Sequence, residues 1–138
     1  MVITQEFSLS TKGYCDIQNI TQAVVGCVRA SGLSHGVAVV FTPSATSAIT
    51  TVEFESGMLA DFEALWERVA GQAWEYQHNE RWHDGNGFSH VRAALLGPSL
   101  SVPFVNQQLT LGTWQQIVFC DFDNRRRTRR VVVQMVGE

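Results

Sequence analysis

From residue 100 to the end, the chain is a succession of extended apolar stretches with very little between them. Residues 100–105, 109–111, 114–122 and 129–136 all read as strands, rich in Val, Phe and Ile. Parallel neighbours need a crossover of about a dozen residues or more, and these connections are far shorter. The strands must therefore pair antiparallel, with Asn106-Gln107-Gln108 a tight turn and Asp123-Asn124-Arg125-Arg126 a hairpin connection.

The rest of the chain fits round this β-rich half. Residues 2–10 form a strand with Ile3, Phe7 and Leu9 on one face and Thr4, Glu6 and Ser8 on the other. Asp16 stands where an N-cap would be, before a helix carrying Ile17, Ile20, Val24, Cys27 and Val28. Residues 37–41 are uninterruptedly apolar and predict a strand buried on both sides. Pro43 ends that strand, a loop of small hydroxyl residues follows, and residues 48–54 resume the β pattern with Glu53 near its end. A second helix follows Gly57, with Leu59, Phe62, Leu65, Trp66 and Val69 inward. Ser89 to Leu96 predicts a short third helix. The sum is one α+β domain over residues 1–138, with a mostly antiparallel sheet, two main helices and a short third.

Charge narrows the functional classes. Hydrophobic residues make up 45% of the chain and charged residues 17%, a low share of charge that suits either buried subunit contacts or an ordinary compact monomer. The net charge of −3 gives no global field for nucleic acid. Arg125, Arg126, Arg127, Arg129 and Arg130 cluster at the hairpin connection and read as a solvated tip, with phosphate steering or an intersubunit rim as the other reading. Three widely spaced cysteines, Cys15, Cys27 and Cys120, suit reduced thiols in a cytoplasmic protein. No signal-peptide core or membrane-length apolar run is present, so neither secretion nor membrane insertion is expected.

Chemistry concentrates between Tyr76 and Leu100. Three of the four histidines, His78, His83 and His90, fall there with Glu80 and Asp84 among them. Imidazole and carboxylate groups serve as general acids and bases, or as ligands for a divalent metal, and this spacing distinguishes neither use. Asp84-Gly85-Asn86-Gly87 permits positive φ, so its amides, with the helix N-terminus after it, would form an anion cradle; the alternative is a plain turn feeding a capped helix. No GxSxG or Ser-His-Asp order supports a nucleophilic Ser44 or Ser47.

At DGNGFSHVRAALLGPSLSVPF and LGTWQQIVFCDFDNRRRTRRVVVQMVGE, and in the loop FTPSATSAIT with Glu53, the chain resembles the YjbQ-like, or secondary thiamine-phosphate synthase, family. The resemblance covers essentially the whole chain. It implies a strongly curved antiparallel sheet, a homotrimer, and a pocket near a subunit boundary lined by the histidine segment and the loop after Phe41. It also implies a weak activity joining a pyrimidine pyrophosphate to a thiazole phosphate with loss of pyrophosphate. Glu53, His78, Asp84, Asn86 and His90 match the family's polar signature. Ser44 and Phe88 stand where many members carry histidine, which removes two candidate ligands.

The resulting expectation is a small phosphorylated ligand held by Gly85, Asn86, Gly87 and Ser89 with Arg92 assisting. His90, His78 and Asp84 would perform proton transfer. Glu53, His78, His83 and His90 would supply ligands for a divalent metal, Zn or Mg. Beside it stand a non-catalytic trimeric binding or assembly module, with Phe88 filling part of a degenerate site, and a metal-dependent hydrolase.

Overall fold

A computed structural model describes all 138 residues. In chain order the elements are β1 (Val2–Thr11), β2 (Asp16–Asn19), α1 (Thr21–Ser31), β3 (His35–Phe41), β4 (Ser47–Val52) and α2 (Ser56–Val69). Then come α3 (Gln77–Trp82), α4 (Gly87–Leu96), β5 (Ser99–Val105), β6 (Gln108–Leu109), β7 (Gln116–Asp121) and β8 (Arg127–Gly137). The fold is α+β, and every strand pair is antiparallel. The curled sheet divides into two hydrogen-bonded groups, β1-β8-β3-β5-β6 and β2-β7-β4.

Alternation decides what each strand buries. Val131, Val133 and Met135 of β8 and Ala38 and Val40 of β3 face a core shared with Ile20, Val24 and Val28 of α1. Ile117 and Phe119 of β7 join that core, while Val118 and Cys120 point the other way, onto Phe62 and Trp66 of α2. The strand buried on both faces is thus β7. It is not β3, whose Val37 and Phe41 are each 38% exposed, because nothing in the chain covers the outer face of the five-stranded group. The turn at Asn106 and Gln107 forms as expected, with φ of 51° and 61°.

Three local expectations fail. Asp16 caps no helix. Residues 16–19 pair with 118–121 of β7, and the Asp16 carboxylate accepts from the Lys12 amide at 2.8 Å. Helix α1 starts at Thr21, whose amide donates to Asn19 Oδ1 at 3.0 Å. Leu65 and Val69 of α2 are exposed; Phe62 and Trp66 are buried in the second core, and Met58 and Leu59 pack against its edge. Finally, residues 123–126 do not close a hairpin: they carry the chain from β7 in one group to β8 in the other. Asp121 and Asp123 are buried at that corner and draw Arg127 and Arg129 inward, while Arg130 lies outward, 3.3 Å from Glu6.

Candidate functional site

Helices α3 and α4 lie side by side because Gly87 has no side chain. A Cβ there would sit 2.6 Å from Tyr76 Cβ and 2.8 Å from Asn79 Oδ1. The close approach brings His78 of α3 against His90 of α4, with ring centroids 4.2 Å apart and planes tilted by 36°. Asp84 approaches from the connecting loop, its Oδ1 3.5 Å from His78 Nδ1, a long contact and not a hydrogen bond. Of the predicted site residues, these three do converge.

His90 also lines an open cavity of about 400 Å³ with Ala93, Ala94, Pro98 and the loop residues Ser44, Ala45 and Ser47. Burial holds its imidazole below the ordinary histidine range, and the neighbouring His78 adds to that effect against the opposing pull of Asp123 and Asp84. His90 is therefore neutral near pH 7, with one nitrogen able to accept a proton and the other to donate a hydrogen bond.

The anion cradle is closed. Gly85 has the expected positive φ of 69°, but the Gly87 amide donates to Asn79 Oδ1 at 2.8 Å and Ser89 Oγ donates to Asn86 O at 2.5 Å. Gly87, Ser89 and Asn86 are all buried. The Asn86 side chain donates to Asp123 at 3.2 Å, so the anion beside the start of α4 is the chain's own carboxylate. Arg92 is no phosphate ligand either. It is fully buried, donating to Ala70 O at 2.9 Å and Glu67 at 2.8 Å, with its guanidinium carbon 5.0 Å from the Phe88 ring centroid. That contact tethers α4 to the end of α2. Phe88 itself is buried against Arg92 and does not line the His90 cavity, so it plugs nothing.

Nor do the proposed ligands fit a resident metal. His83 closes α3 with φ of 58° and is exposed, and Glu53 is exposed beyond β4 without a side-chain partner. No three His, Cys, Asp or Glu side chains in the chain are arranged to hold a metal ion. The His78–His90 pair with Asp84 beside it does not direct three donors at one point, as a zinc site requires.

The groups absent from the predicted set lie behind the cavity. Asp123 Oδ2 accepts from Arg127 Nη2 at 2.8 Å and Nε at 3.0 Å and from Thr46 Oγ1 at 3.1 Å. Its Oδ1 accepts from the Asn124 amide at 2.8 Å as well as from Asn86. Burial would raise the Asp123 pKa, but the Asn124 amide, the Asn86 side chain and Arg127 together outweigh it and hold the carboxyl below its usual range. Arg129 grips Asp121 through Nε at 2.7 Å and Nη2 at 3.0 Å, and reaches Ser44 Oγ at 3.0 Å and Thr46 Oγ1 at 2.8 Å. The Arg-Arg alternation around Thr128 was the only sequence signal of this network.

An α+β domain with a curled antiparallel sheet, a histidine pair at an open cavity and an ionic network behind it defines the class. Within that class the chain belongs to the YjbQ/UPF0047 family, whose model, described as UPF0047 protein YjbQ-like, matches residues 5–138. A UPF0047 protein of Methanothermobacter thermautotrophicus is 40% identical over 99% of this chain and 94% of its own length. UPF0047 protein YugU of Bacillus subtilis is 32% identical, over 86% of this chain and 88% of its own. Among solved structures, a YbjQ-like protein from Sulfolobus solfataricus P2 superposes with TM-score 0.94 at 28% identity, covering 100% and 99% of the two chains. A YjbQ/UPF0047 protein from Clostridium acetobutylicum does so with TM-score 0.87 at 36% identity, covering 96% and 99%. No helix is long and apolar enough to cross a membrane.

Proposed function

We propose that the cavity between His90 and residues 44–47 binds a small phosphorylated compound, and that His90 is the side chain that acts on its leaving group. One juxtaposition carries the reading: a neutral, partly buried imidazole shares a cavity wall with a hydroxyl loop held by Arg129. The volume of about 400 Å³ suits a heterocycle bearing a phosphate. The family resemblance supplies the reaction to test, transfer of a pyrimidine methylene from pyrophosphate oxygen to a thiazole nitrogen. The C–N bond forms, the C–O bond breaks, and pyrophosphate leaves with the electron pair. His90 donates a hydrogen bond from its N–H to the departing oxygen, which leaves as an anion and takes no proton, and Mg²⁺ arrives as the pyrophosphate salt, part of the substrate.

The test is thiamine-phosphate formation by purified protein from the pyrimidine pyrophosphate and thiazole phosphate. His90→Ala is expected to lose about a hundredfold or more. Equal product from both proteins removes His90 from the mechanism. No product, with binding retained, favours the non-catalytic module.

Assembly supports a second element of the reading. Val2, Val37, Phe41, Val105 and Val136 are exposed on the outer face of the five-stranded group, a surface suited to a second copy of the chain. We assign a homotrimer, checked by light scattering; a monomeric mass refutes it. The three unpaired cysteines fit a reducing compartment, the cytoplasm.

A further inference from the structure

The reading above leaves open which end of the cavity receives the phosphate, and this inference rests on that reading. With the start of α4 closed, the remaining donors lie in the loop between β3 and β4. Ser44 Oγ accepts from the Thr46 amide at 3.1 Å and from Arg129 Nη1 at 3.0 Å. A hydroxyl has two acceptor lone pairs and one proton, so both lone pairs are in use and only the proton is left to donate. In the chain that proton has one partner, Thr46 Oγ1 at 3.4 Å, a long hydrogen bond that a ligand oxygen at closer range would replace. Ala45 also lines the cavity, and its amide donates to nothing in the chain.

Arg129 is held for this task. Its bidentate pairing with fully buried Asp121 fixes the guanidinium, and its side chain is 12% exposed. Because Asp121 balances its charge, Arg129 offers the cavity little net field. What it adds is polarisation of the Ser44 O–H, by withdrawing density through the accepted hydrogen bond. A group that only donates matches a ligand oxygen that only accepts, which phosphate and pyrophosphate supply.

We propose that the Ser44 hydroxyl and the Ala45 amide form the phosphate-receiving end of the cavity, with Arg129 the residue that positions and polarises Ser44.

The probe is inorganic pyrophosphate added to the full chain, followed by calorimetry and by amide shifts at Ala45 and Thr46. Ser44→Ala is expected to weaken binding about tenfold, and Ser44→Thr to retain most of it. Arg129→Lys keeps a cation but loses the fork, and is expected to weaken binding similarly. Acting through Ser44, it should add nothing in the Ser44→Ala background, whereas a merely structural role would multiply the losses. Multiplied losses overturn the role of Arg129. Wild-type affinity in Ser44→Ala overturns the assignment of the phosphate end while leaving a phosphorylated ligand in place. If wild type binds no pyrophosphate, both readings fall. Thermal melts separate misfolding from lost contact, and should Arg129→Lys fail to fold, the two Ser44 variants alone decide the phosphate end.

Discussion

Replacing Asp123 by asparagine tests the ionic corner most sharply, because the substitution conserves shape and changes only the pattern of donors and acceptors. Both carboxylate oxygens of Asp123 face donors: Asn86 and the Asn124 amide at Oδ1, Thr46 and Arg127 at Oδ2. Whichever way the new amide turns, its NH₂ confronts donors, and buried N–H groups lose their acceptor. Breaking a buried ion pair by removing one partner costs about 3–5 kcal/mol. Arg127 retains 31% exposure and can recover some hydration, so the lower end, about 3 kcal/mol, is expected. Urea unfolding followed by tryptophan fluorescence reads this directly: at a slope of about 2 kcal/mol/M the midpoint falls by about 1.5 M. The pH dependence has a definite sign. The carboxyl is held below its usual range in the folded protein, so its contribution is present above the unfolded value of about 3.9 and is lost as pH falls through the folded value. The gap between wild type and Asp123→Asn should therefore narrow below about pH 4. A gap under about 1 kcal/mol at pH 7, or one that widens on acidification, would refute the account.

Three further outcomes are expected. Gly87→Ala would force α3 and α4 apart, at a cost of about 1–3 kcal/mol in urea unfolding, and separate His78 from His90; unchanged stability would mean the helices shift freely. In NMR titrations His90 should titrate below the usual histidine value, and His78→Ala should move it upward by removing a neighbouring positive charge and admitting water. A downward move would contradict that electrostatic picture. Phe119→Ala, deep in the larger core, should cost about 3–5 kcal/mol, whereas Leu65→Ala on exposed α2 should lie within about 0.5 kcal/mol of wild type.

The strands were legible because burial on one face writes a period of two into the sequence, as in residues 2–10 and 129–136. Alternation names faces but not partners. The same pattern that marked residues 114–122 and 129–136 as strands could not say that they pair in different groups, so the corner between them was misread as a solvated hairpin tip. An apolar run is similarly ambiguous. Residues 37–41 look buried on both sides, yet the side facing away from α1 is uncovered, and the composition there does not distinguish a face covered within the chain from one left bare. Asp16 gave an N-cap signal that tertiary pairing with β7 overrode. Of the site, His78, Asp84 and His90 were legible as a cluster in sequence. Arg129 and Asp123 were not, since only the change of sheet brings them behind the loop that lines the cavity.

That difference relocates the chemistry. Gly85-Asn86-Gly87 has every local property of an anion cradle, and the chain does place an anion beside it, but the anion is Asp123. The glycine at 87 serves helix contact and not ligand contact, and the contact it permits is what stacks His78 on His90. With its start occupied, α4 offers the cavity one side chain capable of proton transfer, and the polar donors must come from across the gap. The loop after β3 supplies them, held by Arg129, which buried Asp121 fixes, and by buried Asp123, which Arg127 pairs. A network so fully paired costs a great deal to disturb and presents little net charge. It holds a few oriented hydrogen-bond donors still, and the anion site proposed at Ser44 and Ala45 would depend on that preorganisation.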